Sequence, residues 1–292
     1  MVIFFEPVFK ETVWGGKKLQ TVFGLPIPSN STGECWGISA HPHGETTVSR
    51  GPYKDWPLSR LFAQKRHLFG HHPAETFPIL VKLIDAQADL SIQVHPDDAQ
   101  AKALGSFGKS ECWYILDTEQ NTEIVIGHHA ETHEAFKRMV DAGDYQALVN
   151  RFPVHSDDFF YIPAGTLHAI CAGTLLLEVQ QSSDITYRFY DYDRLENGKK
   201  RPLHVEAAMS VVTIPDQTPI REHHDTYFGF EIVSNYDHPF KAHPYGDFLV
   251  VLEGEGLIES ERLKKGDFLF VSAESNYTID GPVRLARITL RN

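Results

Sequence analysis

Short stretches in which apolar and polar positions alternate recur along the chain, separated by glycine, proline and acidic turns, and this period of two predicts strands. In Ser91-Ile92-Gln93-Val94-His95-Pro96 a strand turns Gln93 and His95 to one face and Ile92 and Val94 to the other. Lys109-Ser110-Glu111-Cys112-Trp113-Tyr114-Ile115-Leu116, rich in aromatic and branched residues, predicts a second strand with Lys109, Glu111 and Trp113 on a common face. Asp158-Phe159-Phe160-Tyr161-Ile162 predicts a third. It stops at Pro163, which has no N–H for a ladder, and Gly165 permits the tight turn that delivers His168 to the next strand.

Helical spacing is rarer. Thr132 can cap a helix with Ala135, Phe136, Met139 and Val140 on one face, ending near Gly143, and Tyr145, Leu148 and Val149 continue as a second short helix. Together they predict a small helical insert at about 130–150. Another helix is expected after Pro57, with Leu58, Leu61 and Phe62 inward, and a shorter one after Pro96 through Leu104. The polar, proline-bearing stretch Ile214-Pro215-Asp216-Gln217-Thr218-Pro219 is the expected boundary between residues 1–214 and 215–292. Beyond it, Tyr227 to Val233, Phe248 to Leu252, Phe268 to Val271 and Val283 to Ile288 predict a compact all-β module.

The two halves echo each other. Asp158 to His168 aligns with Asp267 to Tyr277, so that Pro163, Gly165 and His168 meet Ser272, Glu274 and Tyr277; Glu111 to Asp117 likewise aligns with Asp247 to Glu253. The Pro163-x-Gly165-x-x-His168 pattern resembles the second motif of the cupins. The expected fold is mainly β: two jelly-roll (cupin) units, the first carrying the chemistry and the second a degenerate copy without a metal site.

Gln93, His95, Glu111 and His168 together offer two imidazoles, a carboxylate and an amide oxygen, a borderline set that suits Zn²⁺ or another first-row divalent ion with a position left for water or substrate. Ordinary polar residues on half-buried strands are the alternative. Composition changes the picture modestly. With 292 residues and 42% hydrophobic positions the chain can bury a large core, and its net charge of −12 repels nucleic acid and anionic membranes, so an anionic substrate needs a local basic cluster. Cys35, Cys112 and Cys171 read as reduced core thiols. His71, His72, His128, His129 and His133 fall in turns or at a helix start and read as solvated. The apolar start from Met1 to Phe5 is too brief for a signal peptide, and no run nears the ~18 apolar residues of a membrane span, which predicts a cytoplasmic protein.

The motifs Ser91 to Pro96, Lys109 to Tyr114, Ile162 to Ala169 and Glu178 to Arg188, with Val13 to Lys17 and Gly33 to Gly37, resemble the short bacterial type I mannose-6-phosphate isomerases nearly end to end. The resemblance implies one Zn²⁺ per chain on Gln93, His95, Glu111 and His168, Arg188 as the active-site arginine, and interconversion of mannose 6-phosphate and fructose 6-phosphate through an enediol. Lys109, on the Glu111 face, is a candidate for proton handling or phosphate contact; Ser91 is a candidate for binding a substrate hydroxyl or phosphate. Glu34 and Trp36 share a face by alternation and either line the entrance or belong to the core. A surface Arg188 paired with Asp184 or Asp191 is the plain alternative for that residue. The expected partner is a small phosphosugar, with no nucleic acid, membrane or nicotinamide, and the chain is expected to be a monomer or homodimer. Two other classes fit the motifs less well: a catalytically idle sugar-binding bicupin, and an Fe(II) oxygenase, with which Gln93 sits awkwardly.

Overall fold

The computed structural model describes residues 1–196, 198–216, 219–222, 226–234 and 238–292. Three antiparallel sheets dominate it. One six-stranded sheet runs Phe159–Ile162, Glu111–Thr118, Thr174–Gln181, Ile79–Ala86, Val8–Gly16, Thr32–Ser39, with the last also pairing to Ile79–Ala86. A five-stranded sheet runs Tyr187–Tyr190, Ile92–Val94, His168–Ile170, Glu123–His128, Val149–Pro153. The other six-stranded sheet, Phe228–Val233, Arg284–Leu290, Asp247–Glu253, Phe268–Val271, Val2–Glu6, Thr47–Val48, is built from the later residues and completed by two strands from the start of the chain.

The first of these sheets lies between the other two because each of its faces carries buried apolar residues. Cys35, Val81, Leu83, Leu177 and Val179 pack with Phe248, Phe268 and Phe270 of the later sheet. The opposite face, through Ile84, Trp113 and Leu176, packs on Ile124, Ile126 and Ile170 of the five-stranded sheet. That sheet in turn buries Val94, Val125 and Ala169 beneath Phe136, Val140 and Leu148 of the helical insert. Alternation then fixes what else faces the five-stranded sheet. With Leu177 and Val179 turned away, Glu178 and Gln180 turn toward it, and the registers Glu178↔Lys82, Lys82↔Trp36 and Glu178↔Trp113 set charged and aromatic side chains side by side in the gap.

The expected helices form as Leu58–Gln64, Asp98–Ala101, His133–Asp141 and Tyr145–Leu148, the third with its Thr132 hydroxyl accepting from Ala135 N. Three differences stand out. Val149 is not helical; β-branched and paired with His128, it opens a strand. The strand expected from Lys109 begins at Glu111 and runs to Thr118. Helices also form at Lys18–Phe23 and Val205–Val211, which the hydrophobic pattern does not predict. Of the expected boundary, Gln217 and Thr218 lie outside the described residues.

Candidate metal centre

Three strands bring the polar cluster together. Gln93 lies in Ile92–Val94 and sits opposite both His168 and Arg188 in register; His95 follows that strand directly; Glu111 begins its own strand opposite Gln180. The Nε2 atoms of His95 and His168 face each other at 3.1 Å, with Glu111 Oε2 3.7 Å from the first and Oε1 3.6 Å from the second. All three residues are buried.

The ring tautomers follow from what the other nitrogens touch. His95 Nδ1 is 2.7 Å from the carbonyl oxygen of Ile185, and His168 Nδ1 is 2.8 Å from that of Thr166. A carbonyl only accepts, so both Nδ1 atoms carry the proton and both Nε2 lone pairs point into the space between the rings. Burial first and the Lys109 charge second lower the pKa of His95 well below the usual imidazole range and that of His168 to about 4, which keeps both rings neutral. Two converging lone pairs repel unless a cation lies between them, and two nitrogens each about 2.0–2.1 Å from one zinc ion stand roughly 3 Å apart. Among the described residues, these three and the partly exposed trio His41, His43 and Asp184 are the groups of histidine and acidic side chains close enough to share an ion.

Lys109 Nζ lies 3.1 Å from His95 Nε2 and pairs with Glu111 Oε2, so it is part of the centre rather than a solvated strand end. Glu111 is raised to about 7 by burial and by the neighbouring charge of Glu178, with Lys109 and Lys82 opposing. Trp113 Nε1 bridges the two carboxylates, 3.1 Å from Glu111 Oε1 and 2.9 Å from Glu178 Oε2. The Gln93 amide nitrogen is 3.4 Å from His168 Nε2, while its oxygen accepts from Ser91 Oγ at 3.0 Å. In this orientation the amide oxygen points to Ser91; a half-turn of the amide exchanges the two atoms.

Gln93 and Lys109, which contact His168, His95 and Glu111, line a polar cavity of about 240 Å³ together with Ser91, Arg188, Glu34 and Trp36. Arg188 forms neither ion pair offered as its plain alternative. Asp184 contacts His41 and His43, and Asp191 takes Arg194 and Arg201. Sequence reasoning missed Lys82, whose Nζ is 2.8 Å from Glu178 Oε1 and 3.8 Å from Glu34 Oε2 on the cavity wall, and it missed Arg201. Lys82 was hidden inside an apolar run, Ile79 to Ala86, whose meaning depends on sheet order.

Two histidines expected to be solvated are buried. His72 Nε2 bonds to the Arg291 carbonyl oxygen at 2.8 Å, and His128 Nε2 to that of Thr213 at 2.9 Å with its ring edge-on to Phe136; burial is the first cause that lowers both pKa values. His71, His129 and His133 are exposed. All three thiols are free and buried. At the positions aligned with His168 and Glu111, Tyr277 OH donates to Asp247 Oδ2 at 2.8 Å and the Arg287 guanidinium pairs with the same carboxylate. A hydrogen bond and a fixed cation thus stand at the positions aligned with His168 and Glu111.

Fold and site define a mainly antiparallel β protein with a buried two-imidazole, one-carboxylate centre of a kind that takes a divalent metal. Residues 3–138 match the family model for the catalytic domain of type I phosphomannose isomerase. The mannose-6-phosphate isomerase of Streptococcus mutans is 40% identical, over 96% of this chain and 97% of that one. The crystal structure of the mannose 6-phosphate isomerase from Bacillus subtilis, 41% identical, superposes with a TM-score of 0.94 over 99% of both chains. A zinc-bound mannose 6-phosphate isomerase, 18% identical, shares the fold alone, at a TM-score of 0.78 over 100% of both chains. The chain belongs to the type I phosphomannose isomerase family and is an enzyme, an isomerase. An idle sugar binder is correspondingly not favoured. No helix among the described residues is long and apolar enough to cross a membrane.

Proposed function

We propose that this protein is a zinc-dependent aldose-ketose isomerase that interconverts mannose 6-phosphate and fructose 6-phosphate through an enediol(ate). The observation that carries the reading is the pair of unprotonated imidazole nitrogens converging beside Glu111, in contact with Gln93 and Lys109, which line a cavity that Arg188 also lines. His95, Glu111 and His168 would hold one Zn²⁺ per chain, with Gln93 as fourth donor once its amide turns. The ion, when bound, supplies Lewis-acid polarisation of the substrate oxygens.

The reaction moves one proton from C2 of the open-chain aldose to C1, while the C1 carbonyl becomes a hydroxyl and the C2 hydroxyl a carbonyl. Lys109 is placed for proton handling: its ammonium is wedged between Glu111 and His95 yet lines the cavity, and general acid–base help of this kind is worth about 10²–10⁴-fold. Arg188 brings a permanent, planar positive charge to oppose charge developing on the enediolate oxygens. Ser91 orients Gln93 and offers a hydroxyl to the sugar. Trp113 and the Lys82–Glu178 pair hold Glu111 in place from behind.

We read residues 1–214 as the catalytic unit with its helical insert and 215–292 as a jelly-roll unit without a metal site, to which Val2–Glu6 and Thr47–Val48 lend strands; each unit is read as a jelly roll, and the protein as cytoplasmic, a monomer or homodimer. Stripping metal with a chelator and restoring Zn²⁺ tests the function. Isomerisation of mannose 6-phosphate should vanish and return; full activity in metal-free protein would refute it.

A further inference from the structure

We propose that Gln180 reads the C3 hydroxyl of the substrate through its side-chain carbonyl oxygen, and so selects a sugar hydroxylated beside the reacting carbons; this deepens the isomerase reading and rests on it for the identity of the sugar. Buried polar groups in folded proteins are almost all paired. The cavity beside the metal centre departs from that rule in three places. Thr12 Oγ1, Gln180 Oε1 and Arg188 Nε are buried, have no hydrogen-bond partner among the described residues, and belong to side chains that line it. Thr12 can turn its hydroxyl to donate or to accept, and the Arg188 guanidinium already serves the enediolate oxygens. Gln180 makes the definite demand.

It lies wholly buried in Thr174–Gln181, and its amide is held in one orientation. Nε2 donates to the carbonyl oxygen of Gln181 at 2.9 Å and to that of Ser183 at 2.5 Å, which uses both of its hydrogens. A half-turn of the amide would set Oε1 against those two carbonyl oxygens. The oxygen is therefore the polar atom that Gln180 can offer to an occupant of the cavity, and it only accepts. A phosphate dianion or a carbonyl, acceptors themselves, would be repelled there; a hydroxyl would be bonded.

Strand register locates that demand. Gln180 sits directly opposite Glu111, and Glu178, two residues back on the same face, is tied to Glu111 through the Trp113 indole N–H that both carboxylates accept. With the C1 and C2 oxygens of the substrate at the metal centre, the next oxygen along the sugar is the one on C3, and an acceptor beside Glu111 meets that hydroxyl first.

The test uses zinc-loaded protein with mannose 6-phosphate and its 3-deoxy analogue as paired probes, binding measured by calorimetry and turnover by steady-state kinetics. In the wild type the deoxy sugar leaves Oε1 unpaired, so it should bind about 10- to 100-fold more weakly, with kcat/KM lower by a similar factor. Gln180→Met, which keeps the length of the side chain without the amide, should weaken mannose 6-phosphate binding by about that factor and separate the two sugars by less than about threefold. If Gln180→Met does not fold, Gln180→Leu makes the same comparison. A purely structural role for Gln180 would weaken both sugars alike and keep the wild-type ratio between them, and that outcome would overturn the proposal. So would a wild type that treats the two sugars equally, which would leave Oε1 to solvent water. Discrimination in binding that is lost in the Gln180 variant, in a protein that isomerises neither sugar, would instead overturn the isomerase reading and leave Gln180 as the hydroxyl reader.

Discussion

Replacing Glu178 by Gln should damage the protein chiefly by leaving a buried cation without its counter-charge. Glu178 is buried, its Oε1 2.8 Å from the buried Lys82 ammonium and its Oε2 accepting from Trp113. Burial raises its pKa, but Lys82 and Lys109 outweigh that, so it is held below the ordinary carboxylate range; at Lys82, burial lowers the pKa and Glu178 and Glu34 raise it further. Glutamine keeps the acceptor for Trp113 but strands the ammonium, and removing one partner of a buried pair costs about 3–5 kcal/mol. Two features place the cost near the lower end: Glu34 remains 3.8 Å from Lys82, and repulsion between Glu178 and Glu111 disappears. A loss of about 3 kcal/mol corresponds to a melting temperature lower by roughly 6–12 °C in a chain of this size. Chemical denaturation of wild type, Glu178→Gln, Lys82→Met and the double variant completes the cycle. The double variant should lie within about 1 kcal/mol of wild type, because no charge is left unpaired. A single variant as stable as wild type, or a double variant no better than the singles, would refute the reasoning.

Arg188→Lys keeps the charge but not the planar fork, and kcat/KM should fall about 10²–10³-fold with the melting temperature nearly unchanged, as steady-state kinetics and calorimetry would read. Tyr277→Phe, at the position aligned with His168, should cost about 0.5–1.5 kcal/mol on denaturation and leave kcat unaltered, since Arg287 still pairs with Asp247. Burial raises the Asp216 carboxyl to about 6, above its ordinary ~3.9, with the Thr166 hydroxyl opposing. A raised acid leaves stability intact below about pH 4 and removes it as pH climbs through 6, so Asp216→Asn should melt about 2–4 °C higher than wild type at pH 8, after discounting for its partial exposure, and no higher at pH 4.

Alternation within single strands made much of the centre legible. Gln93, His95, Glu111 and His168 were each assignable to a face from their own neighbours, and the structure gathers them because those faces meet between two sheets. What stayed hidden needed register. Ile79–Ala86 and Thr174–Gln181 are buried along their whole length, so Lys82 and Glu178 break no visible amphipathic pattern and acquire meaning only when the ladder sets them opposite each other. Arg201 is reached through a hairpin and an ion pair to Asp191, neither of which has a period to read. The same limit applies to Val2–Glu6: its apolar character predicts a strand, but its pairing with Phe268–Val271 joins the two ends of the chain. Buried His72 and His128 misled for a related reason, as the carbonyl groups that satisfy them come from distant segments.

The most direct test of the central claim is the coordination shell of the zinc-loaded protein by X-ray absorption, with metal content measured alongside. One zinc per chain with two imidazole nitrogens at about 2.0–2.1 Å and oxygen donors completing the shell is the expected result, falling to one imidazole in His168→Gln. Zinc bound without imidazole, or a shell unchanged by that substitution, would contradict a centre built on His95, Glu111 and His168.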